Sequence, residues 1–394
     1  METPASPLSR TFSLTEGGPT YQLMLHVAAR KRQAPLLVTR AWIFALITWV
    51  PLLVLSALQG LALSKTVTIP FLYDFAAYSR FLLAVPLLVV AEIVTGPALA
   101  VTTNAFIDSG LVPERQYPDF EAAIDEGIRL RNSALAEGII LGLAYMATFL
   151  GFKEFGHGVS TWHSVVSDLG RQFSLAGWWY VLVCIPLAQF LIYRWSFRLL
   201  LWGRFLWRVS RLDLQLIPTH PDEAGGLGFL GYAHMPFGTI VFALGTILSG
   251  ILATRIVFEG ASLYDFKFLI ATFVILSLII LMGPLLVFCG KLIRVKRRGI
   301  LQYGALATYY TQLFHQKWIQ GGASEEESIL GSGDIQSLAD IGASYERVEQ
   351  MKLIPFDPKV LLVIALAGLV PLLPLLLTVM PLKDILKGLL SIFV

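Results

Sequence analysis

The stretch FLLAVPLLVVAEIVTGPALAVTTNAF, Phe81–Phe106, decides the fold. A hydrocarbon bilayer core of about 30 Å is crossed by about 20 apolar residues in a helix. This run exceeds that length, and Glu92 is its only charged residue. Five further stretches read the same way: Ala41–Leu63, Ser133–Phe152, Leu175–Tyr193, Met235–Phe258 and Phe268–Gly290. A seventh, Val360–Met380, is interrupted by Pro371 and Pro374. Leu382–Val394 is too short to span and reads as an interfacial helix or a hairpin partner of the seventh span.

Composition agrees with the spans. Of the 394 residues 56% are hydrophobic and 14% charged, against roughly 25% charged in a soluble domain. A cytosolic enzyme, a disordered regulator and a disulfide-stapled secreted domain are excluded on that ground. Cys184 and Cys289 lie inside apolar runs, as small core residues do. The net charge of +3 is too small to point to nucleic acid. No cofactor motif is present.

Lys and Arg set the orientation. Of the 30, 22 fall in segments on one side, namely residues 1–40, 107–134, 194–234 and 291–359, and the bias alternates at every loop. The expectation is an all-α polytopic bundle of seven spans, N-terminus in and C-terminus out, with a small helical cytosolic portion. Its parts are a cytosolic segment 1–40, a six-span region 41–290 with cytosolic loops 107–134 and 194–234, a cytosolic helical segment 291–359, and 360–394 with the last span. Residues 1–40 lack the pattern of a cleavable signal peptide. No Asn-x-Ser/Thr sequence occurs, which favours a bacterial inner membrane.

The cytosolic segments carry helix signals. Asp119 after Pro118 is positioned to cap a helix, with Asp125 and Arg129 four apart, and one long helix is expected to run on into the third span. After the acidic turn 321–327, Asp334 is placed to cap a helix ending near Met351. Ile335, Leu338, Ile341, Tyr345 and Val348 form its apolar face, which should lie on the other cytosolic helices or on a second subunit.

Glu92 is the most informative single residue. A mid-span carboxylate faces a bundle interior or a wet cavity. Thr95, Gly96 and Thr103 continue a polar stripe down the same helix, as an ion path requires. The competing reading is structural, a bond from Glu92 to a neighbouring helix, with Gln189 as the candidate partner. Pro86 and Pro97 flank Glu92; Pro51, Pro186 and Pro284 also lie within spans. Ala134, Gly138 and Gly142, and likewise Gly245, Ser249 and Ala253, recur every four residues and read as close-packing faces within the chain.

Arg194, Arg198, Arg204, Arg208 and Arg211, interleaved with Trp195, Trp202, Phe205 and Trp207, leave the membrane as snorkelling arginines and interfacial aromatics do, facing anionic lipid. His220-Pro221-Asp222-Glu223-Ala224-Gly225-Gly226-Leu227-Gly228-Phe229-Leu230-Gly231 is the densest loop. A structural turn is preferred there. A phosphate loop lacks its strand–loop–helix unit, and a metal site of His220, Asp222, Glu223 and His234 matches no zinc spacing. His157, His163 and Asp168 read as a solvated outer loop with Lys153 and Glu154. No nucleophile elbow, HExxH or paired intramembrane carboxylates are present, so an enzyme is disfavoured.

His220–Gly231 and Leu330–Phe356 resemble stretches of multi-pass bacterial inner-membrane proteins that carry no assigned activity. The resemblance implies that location and carries over no functional residue. Two functions follow from the residues. The first is movement of a small ion by a channel or transporter, past Glu92, Thr95, Thr103 and Gln189. The second is a non-transporting scaffold or sensor that engages a partner through its cytosolic helices. A weaker third is an enzyme at the cytosolic face, which needs His220, Asp222 and His234 to converge. The orientation is tested by cysteine-accessibility labelling, which should reach position 163 from outside and positions 211 and 327 from inside. Labelling of 163 only from the cytosolic side overturns it.

Overall fold

The computed structural model describes residues 14, 17–18, 33–63, 67–151, 161–167, 170–324, 327–329 and 331–378. The Leu382–Val394 segment, His157, Asp168, Lys153, Glu154 and most of residues 1–40 lie outside the described residues. Seven helices among the described residues are long and apolar enough to cross a membrane, so the chain is an all-α integral membrane bundle. They are α1 (Gln33–Leu58), α2 (Phe75–Asp108), α4 (Ala134–Gly151), α5 (Leu175–Val209), α6 (Phe229–Glu259), α7 (Leu263–Ile319) and α9 (Pro358–Thr378). Two helices outside the spans complete the set, α3 (Tyr117–Arg131) and α8 (Gly333–Gln350). An antiparallel hairpin of β1 (Ser164–Ser167) and β2 (Gly170–Phe173) joins α4 to α5.

Prolines explain several of the irregular turns, though not the π segment His315–Ile319 at the end of α7. Pro has no amide to donate, and its ring collides with the carbonyl four residues back, which a wider or tighter turn relieves. In α2 the turn before Pro86 opens into a π segment, Ser79–Ala84. In α5 the turn before Pro186 does the same over Tyr180–Cys184. Pro284 sits in a 3-10 segment of α7, Gly283–Phe288, and Pro371 and Pro374 lie in the 3-10 end of α9.

The π segments before Pro86 and Pro186 belong to a repeat. Arg80 and Tyr180 are 100 residues apart and joined, the guanidinium donating to the phenol oxygen at 2.6 Å. At the same offset Asp74 and Ser174 both cap their helices by side chain. Thr48 and Thr148 both donate to the carbonyl four residues back. The hairpin of α1 and α2 is thus repeated, in the same direction, by α4 and α5. Transporter folds contain both inverted and parallel internal repeats, and this parallel one emerges from its capping and π turns.

At one end of the bundle Trp162 is fully buried against Phe71 and Tyr180, with its indole donating to Asp74 at 2.8 Å. His163 stacks on Tyr180 at 5.6 Å between ring centroids, so it is part of this packed nest and not of a solvated loop. At the other end Phe106, Phe120, Phe205 and Phe288 form a second aromatic core.

Several local expectations are corrected. The long helix into the third span is broken: α3 ends at Arg131 and Ser133 caps α4 by accepting the Ala136 amide. Asp119 lies in the first turn of α3 without capping it. Asp334 likewise does not cap α8; its carboxylate accepts Lys317 and Trp318 of α7, at 2.9 Å each. The helix α8 packs on α7. Val348 is fully buried there and Leu338, Ile341 and Tyr345 half-buried, but Ile335 stays exposed. Ala134, Gly138 and Gly142 form no close-packing face among the described residues. All three are exposed, and a Cβ added at either glycine would meet nothing within 4 Å.

Gly245 does pack closely: an added Cβ would lie 2.6 Å from the Gly368 carbonyl oxygen. Gly250 is tighter, with Ser79 Oγ only 1.8 Å from an added Cβ. Gly250→Val should therefore force α6 off α2 and lower stability by about 1–3 kcal/mol. Gly138→Val should leave the melting temperature in detergent near wild type. Equal melting of the two variants would contradict the packing described.

Candidate functional site

Glu92 lies near the middle of α2, whose 34 residues extend about 51 Å. It is 7% exposed and accepts a hydrogen bond from Arg198 at 2.8 Å, with Arg194 at 3.6 Å. Arg194 and Arg198 are 7% and 3% exposed, one turn apart on α5. The Arg194 Nε also lies 3.8 Å from Glu137 of α4. Arg198 is held further by the Trp195 ring, 4.9 Å from its guanidinium, and Trp195 donates to the Leu88 carbonyl at 2.8 Å. A buried carboxylate costs several kcal/mol unless paired, and here three spans supply the pairing.

The expected partner of Glu92 is replaced. Gln189 accepts from Thr148 at 2.9 Å and Glu92 is taken by Arg198. Thr103 donates to the Leu99 carbonyl at 2.9 Å. Thr95 is fully buried with no hydrogen-bond partner among the described residues. Arg194 and Arg198, expected to snorkel toward lipid, point into the bundle instead because a carboxylate waits there. The signal was in the sequence: an intramembrane acid needs a counter-charge, and two arginines one turn apart follow a span that has no terminator before Val209.

Beside this cluster, a space bounded by Gly17, Arg131, Glu137, Ile140, Arg194, Phe197 and Arg198 measures about 10 Å³, room for at most one water. Gly17, packed against Arg131 and Asn132, bounds that side.

The remaining arginines differ from these two. Arg204 donates to Glu126 at 3.0 Å and Arg208 lies 2.5 Å from the same carboxylate. Arg204's hydrogen bond holds the Glu126 carboxyl below its usual range against a small burial effect. Arg211 is exposed and lies 5.0 Å over the Trp207 ring.

The glycine loop is organised by Asp222. Its carboxylate accepts the amides of Ala224, Gly226 and Gly228 at 2.8, 3.1 and 2.7 Å, and His220 Nδ1 lies at 2.7 Å. Burial pushes the Asp222 carboxyl up, but these amides and the imidazole outweigh it and hold it below the usual range. Glu223 adopts a left-handed φ of 55°, a conformation costly for a side-chain-bearing residue. Lys352 holds it there: its amide donates to the Glu223 carbonyl at 2.6 Å and its Nζ lies 3.0 Å from the carboxylate. Lys352 also reaches Asp357 at 2.5 Å. Gly231 abuts Phe356, 2.8 Å from an added Cβ. The two stretches quoted for the resemblance therefore dock on each other.

His234 does not join this loop. It is fully buried, accepts from Trp202 Nε1 at Nε2 at 3.2 Å, and its Nδ1 lies 2.9 Å from the Leu230 carbonyl oxygen. Both ring nitrogens are thus occupied, and His220, Asp222 and His234 do not converge as an enzyme would require. Among the described residues no group of three or more His, Cys, Asp or Glu could hold a metal ion. Comparison with protein-family models, with curated proteins and with solved structures finds no match.

Removing only the acid takes the 2.8 Å carboxylate from a buried guanidinium, and loss of one partner of a buried pair costs about 3–5 kcal/mol. Glu92→Leu should thus melt far below wild type in detergent, and Glu92→Leu with Arg198→Leu should recover most of the loss. A double variant no better than the single one would contradict the pairing.

Proposed function

We propose that this integral membrane protein moves no ion and works as a scaffold or sensor at the cytosolic face. The observation that carries this reading is the state of Glu92: buried, bonded to Arg198, and bordered by room for one water. A cation approaching that carboxylate meets two guanidiniums within 4 Å of it, and like charges at such distances repel strongly in a medium of low dielectric. The cytosolic side has instead the features of a rigid platform. The Asp222 loop is strapped to Lys352 and Asp357, and α8 lies along α7.

A second reading, an ion path along α2, is favoured by one observation, the Thr95 hydroxyl buried without a partner one turn from Glu92. Proteoliposome flux separates the two. Under the scaffold reading, vesicles with the wild-type protein leak sodium, potassium and protons no faster than protein-free vesicles, and Glu92→Gln changes nothing. Flux above that background that is lost in Glu92→Gln overturns the scaffold reading.

A further inference from the structure

We propose that the groove between α5 and α7 binds one anionic phospholipid of the inner leaflet, with an acyl chain in the groove and the phosphate at its arginine rim. The groove has a volume of about 660 Å³. One wall is a single face of α5, with Ser196, Leu199, Leu200, Gly203, Arg204 and Trp207 recurring every three or four residues. Ile280 and Pro284 of α7 form the other wall. The helices touch where Gly203 has no side chain, 3.6 Å from Pro284 to an added Cβ. Leu200, 71% exposed, and Ile280, 50% exposed, leave the groove open on the bundle's outer surface, where a membrane helix meets acyl chains.

Charge selects the lipid. The rim lies at the end of α5 that the Lys and Arg bias places on the cytosolic side, and Trp207 sits there as interfacial tryptophans do. Arg204 lines the groove, Arg208 is one turn on, and Arg211 lies over Trp207. Two carboxylates stand near them. Glu126 is shared by Arg204 and Arg208, and Asp213 is bonded by Arg115. Three guanidiniums against the one carboxylate of Glu126 leave a positive surplus at headgroup depth, which a phosphodiester with net negative charge satisfies and a zwitterionic headgroup does not.

The test uses the purified full chain in a mild nonionic detergent, with phosphatidylglycerol, phosphatidylcholine or inorganic phosphate added, read by lipid adducts in native mass spectrometry and by melting temperature. Phosphatidylglycerol should bind and raise the melting temperature; phosphatidylcholine and inorganic phosphate should not. Arg204→Gln with Arg211→Gln should weaken phosphatidylglycerol about tenfold or more. Arg211→Gln alone leaves the Glu126 pairs intact and should weaken it by a smaller factor. Ser196→Phe fills the groove without touching charge and should also weaken binding, whereas Arg255→Gln at the opposite end of the bundle should not. Equal binding of the two lipids, equal stabilisation by inorganic phosphate, or phosphatidylglycerol binding that survives both the charge and the groove variants overturns the proposal.

Discussion

A charge inside hydrocarbon must bring its own counter-charge, and the arrangement of the bundle follows from that constraint. Glu92 on α2 fixes Arg198 and Arg194 on α5, and Arg194 in turn faces Glu137 on α4. Apolar packing cannot do this alone, because lipid tails are as apolar as the helices and helix association gains little from hydrophobicity. The pair sets which face of α5 looks inward. The opposite face is thereby turned to lipid, which is why the same helix carries buried arginines and an open groove.

The spans were legible because their signal is local: length and apolar content suffice, whatever the neighbours do. Their alternating Lys and Arg gave an orientation for the same reason. The pairing of Glu92 was not legible, since its partner lies 106 residues away and Arg194 and Arg198 read as the start of a loop when α5 runs on to Val209. Caps failed where a tertiary partner competed. Asp334 has the residue type of a cap, but Lys317 and Trp318 bind it first. The structural reading of the glycine loop needed only local chemistry, an Asp followed by amides that glycines leave accessible. Its docking on Lys352 and Phe356 needed the fold.

The direct repeat shows how far similar local structure can serve different ends. Both hairpins use a side-chain cap, a π segment and a proline at the same end of the bundle. Deeper in, they diverge. Glu92 stands where the second hairpin has Ile192, and Arg194 and Arg198 stand where the first has Val94 and Ala98. Glu92 and its nearest partner Arg198 are thus divided between the copies, while Glu137 stays with Arg194 in the second.

That division has a consequence during synthesis. The ribosome makes Glu92 first and Arg198 106 residues later. At roughly 5–20 residues per second, the acid waits on the order of 5–20 s for its partner. Throughout that interval α2 carries an uncompensated carboxyl that bare lipid accepts poorly. The first hairpin therefore lacks the partner of its buried acid until the second is beside it.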